Sequence, residues 1–161
     1  MNHISYLTDL GACHEAVEWA TQYPDLGAAW QACERGDHML WLAGRLAGQP
    51  MSASRRPLAL AAGRCAALVL PYTDDAAVHN AVALTLRFGA GEEVSIEELQ
   101  RAATATYAAA AAMAAAYTAT TAGAYATAAY AAGAARRGAI LRQCAEIVRV
   151  VYPDPPEEVT T

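Results

Sequence analysis

Between Arg101 and Arg136 lie 34 residues, 21 of them Ala, and none of the 34 carries a charge. The others are Thr, Tyr, Met113, Gly123 and Gly133. Ala has the best intrinsic helix propensity, because its side chain loses no rotamer freedom in a helix. A helix apolar on every side is a buried one. The stretch therefore predicts a long Ala-rich helix at the centre of an all-α, single-domain irregular bundle of six to eight helices. Two other readings fail. A membrane span needs about 20 strongly apolar residues, and this stretch has no Leu, Ile, Val or Phe. An ice-binding ladder needs Thr in register, but the position eleven after Thr106 is Tyr117 and eleven after Thr104 is Ala115. One unbroken helix from 96 to 135 would be about 60 Å long, at about 1.5 Å per residue. Gly123 or Gly133 is the expected break.

A chain of 161 residues is the length of one domain and can bury a core without disulfides. We expect a helical domain over 1–152 and a frayed tail over 153–161. Net charge is −5, which argues against nucleic acid or an anionic membrane as a general partner. Cys13, Cys33, Cys65 and Cys144 form no CxxC pair, and each falls on a predicted apolar stripe. With no apolar run at the start, the expectation is a cytoplasmic protein with reduced, buried thiols.

Helical periodicity divides the rest of the chain. A first helix is expected from Thr8 or Asp9, burying Leu10, Cys13, Val17 and Ala20. A second follows Asp25, with Leu26, Ala29, Trp30 and Cys33 inward. Gly36 reads as its C-cap and Asp37 as the N-cap of a third, over about 38–47. Arg35 is expected to pair with a carboxylate. The fourth is expected to open at Ser54 with Pro57 in its first turn, and to run to Pro71. Thr73, with Asp74 and Asp75, should cap the fifth. Ser95 and Glu98 spell a capping box before the Ala-rich helix. A final helix carries Ile140, Leu141, Cys144, Ile147, Val148 and Val151.

Two parts of the chain together are familiar. One is Ala12-Cys13-His14-Glu15-Ala16-Val17-Glu18-Trp19 with Ala29-Trp30-Gln31-Ala32-Cys33-Glu34-Arg35-Gly36-Asp37-His38-Met39-Leu40-Trp41-Leu42. The other is the Ala/Tyr-rich stretch with Gln143-Cys144-Ala145-Glu146-Ile147-Val148-Arg149 and a Tyr-Pro ending. Over nearly its whole length the chain resembles an alanine-rich family of bacteria and their phages that carries the label immunity protein. The resemblance implies an inhibitor that neutralises a toxin. It supplies no catalytic residues.

Chemistry-bearing patterns are sparse. His3, His14, His38 and His79 make no HxxxH or HExxH pattern, and only His14 with Glu18 lies one helical turn apart. Cys13 and His14 are adjacent, so on a helix they point about 100° apart and cannot act as a pair. No catalytic residue, metal or cofactor is assigned. A ligand site is sought instead in groups that could hold an anion: Ser54, Arg55 and Arg56 at a helix start, Tyr107 and Tyr125 as stacking surfaces, and Arg136 with Arg137 after the Ala-rich helix. The expected function is a non-enzymatic binding protein, an immunity-like or anti-defence factor that inhibits a partner protein such as a toxin or defence component. The alternative is a sponge for a small anionic ligand such as a nucleotide signal. Close approach of Ala-rich faces also suggests a homo-oligomer.

Overall fold

The computed structural model describes residues 2–49, 51–68, 70–102, 104–105 and 125–157. Every regular element among them is helical. The order is α1 His3–Asp9, α2 His14–Ala20, α3 Leu26–Ala32, α4 Gly36–Leu46, α5 Arg56–Ala67, α6 Ala76–Gly89, α7 at 96–102 and 104–105, and α8 Tyr125–Val151. Short 3₁₀ turns, Ala53–Arg55 and Leu70–Tyr72, precede α5 and α6. No described helix is long and apolar enough to cross a membrane.

The larger core joins α4, α5 and the C-terminal half of α8. Met39, Leu42 and Leu46 meet Ala61 and Cys65, and Cys144, Ala145 and Val148 close the third side. Leu7, Ala20 and Trp30 bring α1, α2 and α3 onto the same core. A smaller core under α6 and α7 holds Leu84, Phe88, Val94 and Ala102. The stripes read from the sequence for α3 and α8 place Trp30, Cys144 and Val148 inward, because one face of a helix recurs every three to four residues.

Gly36 is not a C-cap. It opens α4, with Arg35 at the N-cap position. A Cβ there would collide with the Cβ of Cys144 and lie 2.8 Å from the Ala145 nitrogen. Its small size lets α4 lie directly on α8. Asp37 sits in the first turn and not at the cap.

The N-terminal region also differs from the expected pattern. The chain is helical from His3, where Asn2 caps by accepting from the Ile4 amide at 2.6 Å. It then breaks at Gly11, whose φ of 82° lies in the left-handed region. The stripe Leu10, Cys13, Val17 and Ala20 therefore spans two helices, and Cys13 is exposed at the N-cap of α2. Cys33, Cys65 and Cys144 are buried free thiols. Burial and the neighbouring Cys144 push the Cys65 thiol up to about 12.

Other helix ends shift by two to four residues. Asp75, not Thr73, caps α6 through the Ala77 amide, while the Thr73 hydroxyl accepts from the Asp75 amide. The helix expected to stop at Pro71 ends at Ala67. Asp25 caps α3 as expected, through the Ala28 amide at 2.8 Å. The Ser95–Glu98 capping box is formed in both directions, at 3.1 and 3.0 Å.

The flanks of the Ala-rich stretch are helical, and residues 106–124, with Gly123, lie outside the described residues. Gly133 does not end a helix. α8 runs from Tyr125 through Gly133 to Val151 without interruption, so no separate final helix exists. The start of the tail is tied down: the Gln31 side-chain amide donates to the Pro153 carbonyl, and the Trp30 indole N–H donates to the Tyr152 carbonyl at 3.0 Å.

Candidate functional site

The groups singled out as an anion site have other work. The Ser54 hydroxyl donates to the Ala47 carbonyl at 2.9 Å, and α5 begins after it at Arg56. Arg55 donates from Nε to the Gly48 carbonyl and from Nη2 to the Gly44 carbonyl, both at 3.0 Å. A helix leaves its last carbonyls without intrahelical partners, and these two side chains supply partners for the end of α4. Arg56 turns elsewhere. Its guanidinium lies 6.0 Å from the Phe88 ring centroid, and its Nε is buried without a hydrogen-bond partner. The two arginines therefore do not form a forked pair at the start of α5. Arg137 is exposed, and Arg136 and Arg137 lie within α8, not at a helix end. Tyr107 lies outside the described residues, as do the side chains of Tyr125 and Arg136.

A different place has the properties of a binding site. A cleft of about 480 Å³ opens between α1, α2, α3 and α4. Its walls include Leu7, Trp19, Trp30, Met39, Trp41 and Leu42. The chain has three tryptophans, and all three line this cleft. Trp30 is buried at its base, whereas Trp41 remains 37% exposed. Ligand clefts are commonly of this size, with largely apolar walls and a few polar groups.

The polar groups are Glu15, Arg35, Asp37 and His38. Arg35 holds Asp37 with two hydrogen bonds, Nε to Oδ1 at 2.9 Å and Nη2 to Oδ2 at 2.8 Å. It also reaches Glu15 Oε1 at 2.8 Å from Nη1. Arg35 thus joins the start of α2 to the start of α4 across the cleft, and it pairs with carboxylates as the sequence suggests. Its hydrogen bonds hold the Asp37 carboxyl below the ordinary carboxylate range. Those same bonds to Asp37 hold the guanidinium in its charged form.

The cleft walls are fixed from behind. Arg149 of α8 donates from Nη1 to the Cys33 carbonyl at 2.7 Å, just past the end of α3. The Trp30 and Gln31 bonds to the end of α8 run the other way. α3 is therefore tied to α8 by reciprocal side-chain capping.

Charge is segregated along the chain. Residues 1–37 carry Asp9, Glu15, Glu18, Asp25, Glu34 and Asp37 against Arg35 alone. Residues 38–161 carry ten Arg and ten Asp or Glu. The whole net charge of −5 thus belongs to the segment that builds three of the cleft's four helices. Reading by motif misses this, although two sequence signals point to it: the charge imbalance and three tryptophans between 19 and 41. Most of the cleft's lining comes from two runs of the chain, Ala12 to Trp19 and Ala29 to Leu42.

His14 and Glu18 do come together, at 3.8 Å, but both are largely exposed. Among the described residues no group of three or more His, Cys, Asp or Glu could hold a metal ion. No family model, curated protein or solved structure matches this chain.

Proposed function

We propose that the chain is a non-enzymatic binding protein that inhibits a partner protein, an immunity-like or anti-defence factor, and that it binds through the face around the tryptophan-lined cleft. One observation carries the reading: all three tryptophans line one largely apolar cleft whose polar groups include the carboxylates Glu15 and Asp37, in the segment that holds the chain's net negative charge. Tryptophan is over-represented among residues that dominate protein interfaces, where it fills or forms pockets surrounded by a polar rim. An excess of negative charge around such a cleft speeds encounter with an oppositely charged partner and disfavours like-charged ones. The anionic-ligand alternative has less support, because Arg55 is occupied by backbone carbonyls and the cleft is rimmed by carboxylates.

Native mass spectrometry of the protein freshly purified from its own cells tests this. The expected result is a stoichiometric protein partner, lost when Glu15, Glu18 and Glu34 are changed to Arg. Retention of a small anion in place of a protein would overturn the reading.

A further inference from the structure

The cleft's two chemistries lie side by side. Aromatic and aliphatic walls suit an apolar stem, and carboxylates at the rim suit a positive head. Arginine and lysine side chains combine these features, since their methylene stems lie along apolar surface while the charged end seeks polar surroundings. Cations also bind the faces of aromatic rings, Trp most strongly, and more so when partly desolvated.

Resting on the partner-protein reading above, we propose that the cleft receives an arginine or lysine side chain from a basic segment of the partner, with Trp19 and Trp41 against its stem and Glu15 and Asp37 toward its head. The rim already shows that it can accept a guanidinium, because Arg35 lies hydrogen-bonded between the two carboxylates. That internal pairing leaves capacity. Glu15 uses one of its two oxygens for Arg35, and its side chain is 70% exposed. The Glu15–Arg35–Asp37 group retains one net negative charge. An incoming cation is therefore attracted, and an incoming carboxylate is not. Trp41, partly exposed at the cleft, is placed to cover the stem once it enters.

The test uses the full chain and a blocked hexapeptide, Leu-Arg-Leu-Leu-Arg-Leu, titrated against intrinsic tryptophan fluorescence. All three emitting rings line the cleft, so occupancy changes the signal directly. A second peptide replaces both arginines with citrulline, which keeps the shape and removes the charge. The arginine peptide is expected to give a saturable change, and the citrulline peptide to bind at least about tenfold more weakly, the discrimination that about 1.4 kcal/mol provides. Trp41→Ala and Glu15→Gln each weaken the arginine peptide, and Ala16→Phe, which fills the cleft, abolishes its binding. Melting curves show which variants keep the fold. If Ala16→Phe does not, Trp41→Ala and Glu15→Gln decide, because both side chains are at least partly exposed. Equal binding of the citrulline peptide, unchanged binding by the folded cleft variants, or no saturable signal with either peptide overturns the proposal. Its failure is separable from that of the partner reading. A partner retained by wild type, lost on charge reversal and kept by Trp41→Ala sinks the anchor alone. Peptide binding with no retained protein partner sinks the partner reading alone.

Discussion

At the level of single residues, Gly36 shows how a correct residue type can be read for the wrong reason. A Gly before Asp in a linker resembles a C-cap, and sequence carries no sign that α8 will lie against it. The missing Cβ matters because Cys144 and Ala145 occupy its space. In an open helical position Gly→Ala would stabilise. Here Gly36→Ala is expected to destabilise by about 1–3 kcal/mol through overpacking, read as a lower urea midpoint at unchanged slope. The Asp37 carboxyl gives a second prediction. Its folded pKa lies below the ordinary aspartate value of 3.8 because Arg35 donates to it. The pairing therefore contributes stability above pH 3.8, and that contribution is lost as pH falls through the lower folded value. The side chain is about half exposed, so the contribution is that of a surface pair with good geometry, about 0.5–1 kcal/mol. Asp37→Asn should lower stability by that amount at neutral pH and be indistinguishable from wild type in acid. Urea unfolding at several pH values measures the difference.

At the level of elements, apolar periodicity made most helices legible, since burial at every third or fourth residue leaves a pattern that tertiary packing does not erase. Boundaries were less legible. Thr73 and Asp75 are both competent caps, and the choice between them depends on backbone angles that neighbours impose. The break at Gly11 hides for a related reason: Leu10, Cys13, Val17 and Ala20 keep helical spacing across it, so only the left-handed φ reveals two helices. Long-range capping by arginine is invisible to local reading. Arg55 serves the end of α4 and Arg149 the end of α3, from 7–11 and 116 residues away. Each substitution, Arg55→Met or Arg149→Met, leaves carbonyls without a charged donor and should cost about 1.5–3 kcal/mol. Thermal unfolding distinguishes this from a surface anion site, whose loss would leave melting nearly unchanged. Arg149→Met should also raise amide exchange in α3, because that helix is held by the end of α8.

For the whole molecule, the helical class was legible because Ala-rich sequence and amphipathic stripes agree with each other. The candidate site was not, because its walls come from four helices spanning Leu7 to Leu42 and only folding brings them together. The charge that marks it was present in the sequence but spread among ordinary capping and surface positions. In the proposed reading the acidic N-terminal segment is the binding face, and α8 holds it in place through the Gly36 contact, Arg149 and the Trp30 indole. That division of labour is the central claim. Hydrogen–deuterium exchange of the chain with its co-purified partner, compared with the chain alone, tests it most directly. The account predicts new protection concentrated in residues 11–41, around α2, α3 and the first turns of α4. Protection on α6 or the exposed face of α8, with 11–41 unchanged, would contradict it.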